Sequence, residues 1–162
     1  MIKRVLGIFI LALIIAFGCS RGPMREQTDT ALPLTNSPPI NLKLSIARAK
    51  AENKIVFMDF NGPDWCPPCI ELHEKVFSQL EFQAYAESNL VFLSVDFPQK
   101  YRLPPDASAT NDLLAAQFDV EGFPTLVALN GEGKEIWRHL AAFDGGIKEL
   151  ENELAAARAK AK

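Results

Sequence analysis

The chain reads as a mixed α/β domain: a strand–helix–strand unit followed by a helix, a hairpin and a last helix. Three observations predict it. Ile55-Val56-Phe57-Met58-Asp59-Phe60 is an apolar run bounded by Asn61-Gly62-Pro63, the pattern of a buried strand. Leu90 to Phe97 returns to strand character after an intervening helical stretch. Thr125 to Leu129 and Glu135 to Leu140 flank Asn130-Gly131-Glu132-Gly133, a hairpin signal. The order implies one parallel unit and one antiparallel pair.

The helices follow from spacing and caps. Leu42, Leu44, Ile46, Ala47, Ala49 and Lys50 support a short first helix. A second starts at Cys66, and Ser78 with Glu81 three residues on marks a third as a capping box. Thr110 or Asn111 caps a fourth through Phe118, and Asp144 caps the last. Pro98 to Ser108, with Tyr101 and Pro104-Pro105, is longer than a compact unit needs; it reads as a surface insertion, with a loop that borders the site as the alternative.

The domain is preceded by a different kind of sequence. Met1-Ile2-Lys3-Arg4 is a basic start, Val5 to Phe17 is apolar apart from Gly7, and Gly18-Cys19-Ser20 ends the run, so residues 1–19 read as a secretory signal. The run is shorter than the roughly 20 residues a permanent membrane span needs. Cys19 stands where small residues give way to polar ones and resembles the lipobox cysteine of bacterial lipoproteins, which is acylated and becomes the mature N-terminus. Ala16 and Phe17 occupy positions that usually hold leucine and a small residue, so ordinary cleavage or retention as an anchor stands beside lipidation. Residues 20–40, polar and dotted with proline, show no periodicity and read as a flexible tether with an r.m.s. reach of roughly 25 Å. Residues 41–162 are one domain's length.

Export bears on the three cysteines. In an oxidising compartment acylation of Cys19 would remove the odd thiol and leave Cys66 to pair with Cys69. The formal charge of −3 becomes more negative once Lys3 and Arg4 leave with the signal, and no basic stripe is present, so a nucleic-acid partner is not expected.

The chemistry lies in Asp64-Trp65-Cys66-Pro67-Pro68-Cys69. Cysteines at i and i+3 share one face of a helix start, close enough to bond without moving the backbone. So short a loop removes little entropy from the unfolded chain, so an inert staple is the weaker reading against redox or metal chemistry. Cys66, at the helix N-terminus, faces the positive end of the helix dipole and is the nucleophile; Cys69, one turn in and expected to be more buried, is the resolving thiol. Pro67 and Pro68 fit the first turn, where a missing N–H costs little. They also leave fewer amides to stabilise a Cys66 thiolate, which points to a more reducing couple. His73 lies one turn past Cys69, but no fourth ligand is evident, so no metal is expected. Ile70 stands where haem attachment requires histidine.

Val56-Phe57-Met58-Asp59-Phe60, then Trp65-Cys66-Pro67-Pro68-Cys69, then Val120-Glu121-Gly122-Phe123-Pro124-Thr125 resembles the thioredoxin family in order and spacing, over roughly Leu42 to Ala157. The resemblance implies a thioredoxin-like fold, a central mixed sheet flanked by helices, and a redox-active disulfide with no further cofactor. It implies that Pro124 is the cis-proline beside the disulfide, in a loop that offers backbone hydrogen bonds to an extended substrate. Phe123 would tune what is accepted, and the substrate-binding set is Trp65, Phe123, Pro124 and Thr125. It implies that Asp59 relays a proton to or from Cys69. One residue more than usual separates Asp59 from Trp65, so an aspartate that caps the strand end stays open.

The leading expectation is an exported, membrane-anchored lipoprotein facing the periplasm or cell exterior. It would be a monomer that reduces protein disulfides with electrons from a membrane donor. A copper or zinc metallochaperone using the same thiols, a disulfide isomerase or oxidase, and a nonenzymatic redox-reporting domain are the alternatives.

Overall fold

One strand, Ile55–Asn61 (β1), is buried along its whole length and organises the rest of the domain. The computed structural model describes Thr35 and residues 37–161. The signal-like segment, Cys19 and most of the tether lie outside the described residues. β1 pairs in parallel with Leu90–Asp96 (β2) and antiparallel with Thr125–Leu129 (β3), which pairs antiparallel with Glu135–Leu140 (β4). The sheet order is β2-β1-β3-β4. The mixed sheet, the parallel unit and the hairpin are thus as expected.

Strand side chains alternate between faces, so β1 sorts the core by residue parity. Val56, Met58 and Phe60 join Ala49 of Leu42–Ala51 (α1) and Leu114 of Pro105–Gln117 (α4) on one face. Ile55 and Phe57 join Leu72 of Pro67–Leu72 (α2), Phe82 of Leu80–Asn89 (α3), and Leu150 and Leu154 of Gly146–Lys160 (α5) on the other. Phe57 is fully buried there, with ring centroids 5.8 Å from Phe92, 6.0 Å from Trp137 and 6.1 Å from Phe77. Asp59 has the same parity as Phe57, so the strand aims its carboxyl at the face that carries the Cys66–Cys69 helix.

Helix boundaries moved where tertiary geometry outweighed cap signals. α1 begins as its pattern predicts, with Asn41 Oδ1 accepting the Leu44 N–H at 3.0 Å. α2 runs into a π-helical turn, His73–Phe77, for which the sequence carried no signal. Ser78 closes that turn, its hydroxyl donating to Glu74 O at 2.9 Å, so it cannot also cap α3, which starts from Gln79 in extended conformation. α4 starts at Pro105, ahead of Thr110 and Asn111, because proline's fixed φ suits a first helical position. Thr110 instead bonds back to Asp106 O, and buried Asn111 donates to Asp96 O at 3.0 Å. α5 starts from Gly145 rather than Asp144. Among the described residues no helix is long and apolar enough to cross a membrane.

Removing the Phe57 ring leaves a cavity among three aromatic neighbours, and Phe57→Ala is expected to cost about 3–5 kcal/mol by urea denaturation. Leu113→Ala, at a side chain 71 % exposed, is expected to stay within about 0.5 kcal/mol of the parent.

Candidate active site

The site is built where β1 ends and α2 begins. Cys66 is the N-cap of α2 in extended conformation, with Pro67 and Pro68 in the first turn as expected. Cys66 and Cys69 are joined by a disulfide, their Cα atoms 5.3 Å apart. The N–H groups of Cys69 and Ile70 both bond to Cys66 O, at 3.1 and 3.0 Å. With no N–H on either proline, the first turn has no uncommitted amide to offer the Cys66 sulfur. The expected difference in burial is absent: each cysteine is 4 % exposed, because the bond holds both sulfurs against the helix.

Trp65 covers the approach. It is 38 % exposed, its indole N–H donates to Phe97 O at 2.6 Å, and its ring meets Phe123 edge to face at 5.9 Å. Phe123 in turn stacks on Phe97 at 4.9 Å. Gly62 is needed beneath it, since a Cβ there would come within 2.5 Å of the indole. The Phe123–Pro124 peptide bond is cis, as the resemblance implied.

Thr125 is 1 % exposed, its hydroxyl donates to Gly122 O at 2.7 Å, and its backbone lies between β1 and β4, so its side chain is committed within the fold at the end of the Pro124 loop. The segment after β2 borders the site, the alternative that its length left open. Asp64 accepts the N–H groups of Gln99 and Lys100, at 3.0 and 2.6 Å, and this ties the loop to the approach of the disulfide alongside Trp65.

Asp59 lies inside β1, two residues short of its end, so it is not a strand cap. It lines a groove of about 540 Å³ together with Cys69, Ile70, His73 and Phe77. Asp59 Oδ2 accepts from Asn61 Nδ2 at 3.0 Å, while Oδ1 is buried without a partner. Burial, and after it the negative charge of Asp96, push the Asp59 carboxyl up to about 7, against the lowering effect of the Asn61 bond. Asn61, Ser94 and Asp96 were not singled out by sequence reasoning. The available signal was a polar residue at every second position where both parallel strands end, Asp59 and Asn61 beside Ser94 and Asp96. His73 is exposed at the groove rim, and among the described residues no cluster of three or more potential metal ligands occurs.

A carboxyl that ionises at higher pH in the folded than in the unfolded chain favours folding when protonated. Its contribution is complete below about pH 4 and is lost as the pH rises through 7. Asp59→Asn is therefore expected to make the oxidised protein more stable than the parent at pH 8. Urea denaturation at pH 4 and pH 8 should show a difference in pH response on the order of 4 kcal/mol.

Comparison with known proteins places this geometry. A family model for the thioredoxin-like domain matches residues 42–154. Disulfide bond reductase DsbH of Chlamydia pneumoniae is 36% identical over 94 residues, 58% of this chain and 57% of that protein. Thiol:disulfide interchange protein DsbD of Pseudoalteromonas atlantica is 32% identical over 91 residues, 56% of this chain and 14% of that protein. The chain thus spans little more than half of the first relative and a small part of the second. A solved structure of DsbH oxidoreductase is similar with a TM-score of 0.67 and 29% identity, covering 86% of this chain and 94% of that one. A thioredoxin from Thermus thermophilus, at 22% identity and a TM-score of 0.51 over 78% of this chain and 86% of that one, shares the fold. With the family model matched across most of its length, on this sheet and around this cysteine pair, the chain belongs to the thioredoxin-like domain family.

Proposed function

We propose that the chain is an exported thiol–disulfide oxidoreductase that reduces disulfides in protein substrates through Cys66 and Cys69. The observation that carries the reading is a disulfide at the start of α2 whose first turn has no free amide. A thiolate at Cys66 then gains less from local N–H donors, and a less stabilised thiolate makes a more reducing couple. The relative named a disulfide bond reductase supports the same direction.

In the reaction, the Cys66 thiolate attacks one sulfur of a substrate disulfide; the substrate S–S bond breaks, a mixed disulfide forms, and one substrate thiolate leaves. Cys69 gives its proton to the Asp59 carboxylate, attacks Cys66 Sγ, and releases the second substrate thiolate as the Cys66–Cys69 bond closes. Trp65 and Phe123, joined edge to face beside the disulfide, are the apolar substrate contacts, with the Pro124 loop at their side. The redox-active disulfide serves without a further cofactor. Electrons return from a donor in the membrane, to which acylation of Cys19 tethers a monomeric domain through residues 20–40.

The equilibrium reduction potential of the Cys66–Cys69 couple, measured against a thiol buffer on protein lacking residues 1–19, is expected near or below about −250 mV. A value of about −120 to −180 mV would mark an oxidant or isomerase and overturn the direction proposed. In the same preparation Cys69→Ser should accumulate the mixed disulfide with a protein substrate, and Cys66→Ser should form none.

Pro67→Gly restores an amide to the first turn. The Cys66 thiol pKa, read from the pH dependence of alkylation in the reduced protein, is expected to fall by roughly one pH unit. An unchanged value would remove the amide argument.

A further inference from the structure

The groove beneath the disulfide holds a second carboxylate that the reaction above does not use. β1 and β2 are parallel and in register, with Asp59 beside Ser94 and Asn61 beside Asp96, and all four residues share the parity that faces α2. Asn61 is buried, and its Nδ2 lies 3.0 Å from Asp59 Oδ2, 3.1 Å from Asp96 Oδ1, 3.1 Å from Ser94 Oγ and 3.2 Å from Asp59 O. The Ser94 hydroxyl also donates to Asp96 Oδ1. One amide therefore ties two carboxyl groups together, buried at Asp59 and Asn61 and open to solvent at Ser94.

The two ends of this arrangement are unequal. Asp96 is half-buried, and its Oδ1 receives both the Asn61 amide and the Ser94 hydroxyl, which suits a carboxylate anion. Asp59 is 5 % exposed, has a single side-chain donor on Oδ2, and leaves Oδ1 without a partner. Two like charges in such a site ionise together only at a cost, so below about pH 7 the oxidised protein keeps one proton on the pair, and the less solvated member holds it. The oxygen without a partner is the place for that proton.

Besides Asp59 and Asp96, the ionisable groups lining the groove are Cys69 from α2 and His73 and Glu74 from the π-helical turn, while α3 contributes the neutral Gln83. Tyr101, on the loop after β2, feels the Asp96 charge from outside the groove. Among the described residues, no lysine or arginine lines it.

We propose that Asp96 and Asn61 are positioning residues that hold the reaction's proton on Asp59 Oδ1, beside Cys69 in the shared groove. The inference rests on the oxidoreductase reading. When an incoming thiolate attacks Cys66 Sγ and the Cys66–Cys69 bond breaks, Cys69 departs as a thiolate and takes the proton from Asp59, directly or through one water that a groove of this size admits. The Asp96 anion keeps Asp59 protonated until that moment, and Asn61 fixes which oxygen carries the proton.

The test follows Asp59 itself, by carbon-13 titration of its side-chain carboxyl in the oxidised full-length chain, and the rate of reduction by dithiothreitol across pH, corrected for dithiothreitol thiolate. Asp96→Asn replaces a half-buried side chain by its isostere and is expected to lower the Asp59 midpoint by about one pH unit. Starting from a midpoint of about 7, that leaves about fivefold less protonated Asp59 at pH 7, and the corrected reduction rate should fall by about the same factor. Asn61→Ala is expected to shift the midpoint upward, the opposite sign. An Asp59 midpoint unmoved by Asp96→Asn overturns the pairing, and a moved midpoint with an unmoved pH–rate profile overturns the proton-holding role. Failure of the oxidoreductase reading shows separately, as a parent protein with no reversible reduction potential although its carboxyl titrations are intact.

Discussion

A strand hydrogen-bonded on both edges and buried on both faces cannot shift register by one residue without turning every side chain to the wrong side. β1 is such a strand, and everything chemical in the domain inherits its parity. Val56, Met58 and Phe60 can only serve the α1 and α4 face. Phe57 and Asp59 can only serve the face of α2. The position of the acid beneath the cysteine helix is thus set by the same burial that stabilises the core.

Beyond that strand, the site is assembled by short bonds from segments distant in sequence. Asn61 ends β1 and reaches across to β2, while Gly62 leaves room for Trp65, whose indole closes on Phe97. Asp64 receives two backbone donors from the loop that follows. The loop's order and the position of Trp65 are consequently one structural fact. The Trp65, Phe97 and Phe123 rings form a continuous aromatic surface leading to the cis Phe123–Pro124 bond.

The electrostatics of the groove run in one direction. A buried carboxylate is costly without a cation or several donors, and among the described residues Asp59 has no lysine or arginine beside it and one side-chain donor. Below about pH 7 a protonated acid is then the low-energy form of the oxidised protein. Such a group accepts the cost of burial only in its neutral state, which keeps a proton close to Cys69, where a leaving thiolate would otherwise be stranded in apolar surroundings. Ser94 and Asp96 at the edge strand complete this polar end of an otherwise apolar sheet face.

Signals carried by adjacent residues were legible in the sequence. The apolar run of β1, the hairpin around Asn130-Gly131-Glu132-Gly133, and the cysteines at i and i+3 behind Trp65 are local patterns, and local sterics and hydrogen bonding dictate what they form. Pro124 could be singled out because its flanking residues match a family pattern. The starts of α3 and α4, the π-helical turn and the burial of Thr125 could not be read the same way. Each depends on what packs against it: Ser78 was taken by the preceding turn, and Thr125 by strands on both sides. The Asp59, Asn61, Ser94 and Asp96 cluster is the clearest case, since residues more than thirty positions apart become neighbours only when two parallel strands pair in register. The sequence by itself determined which groups could exchange electrons. The tertiary structure decided where the proton sits, because proton affinity is a property of burial and neighbouring charge, and neither exists until the sheet has formed.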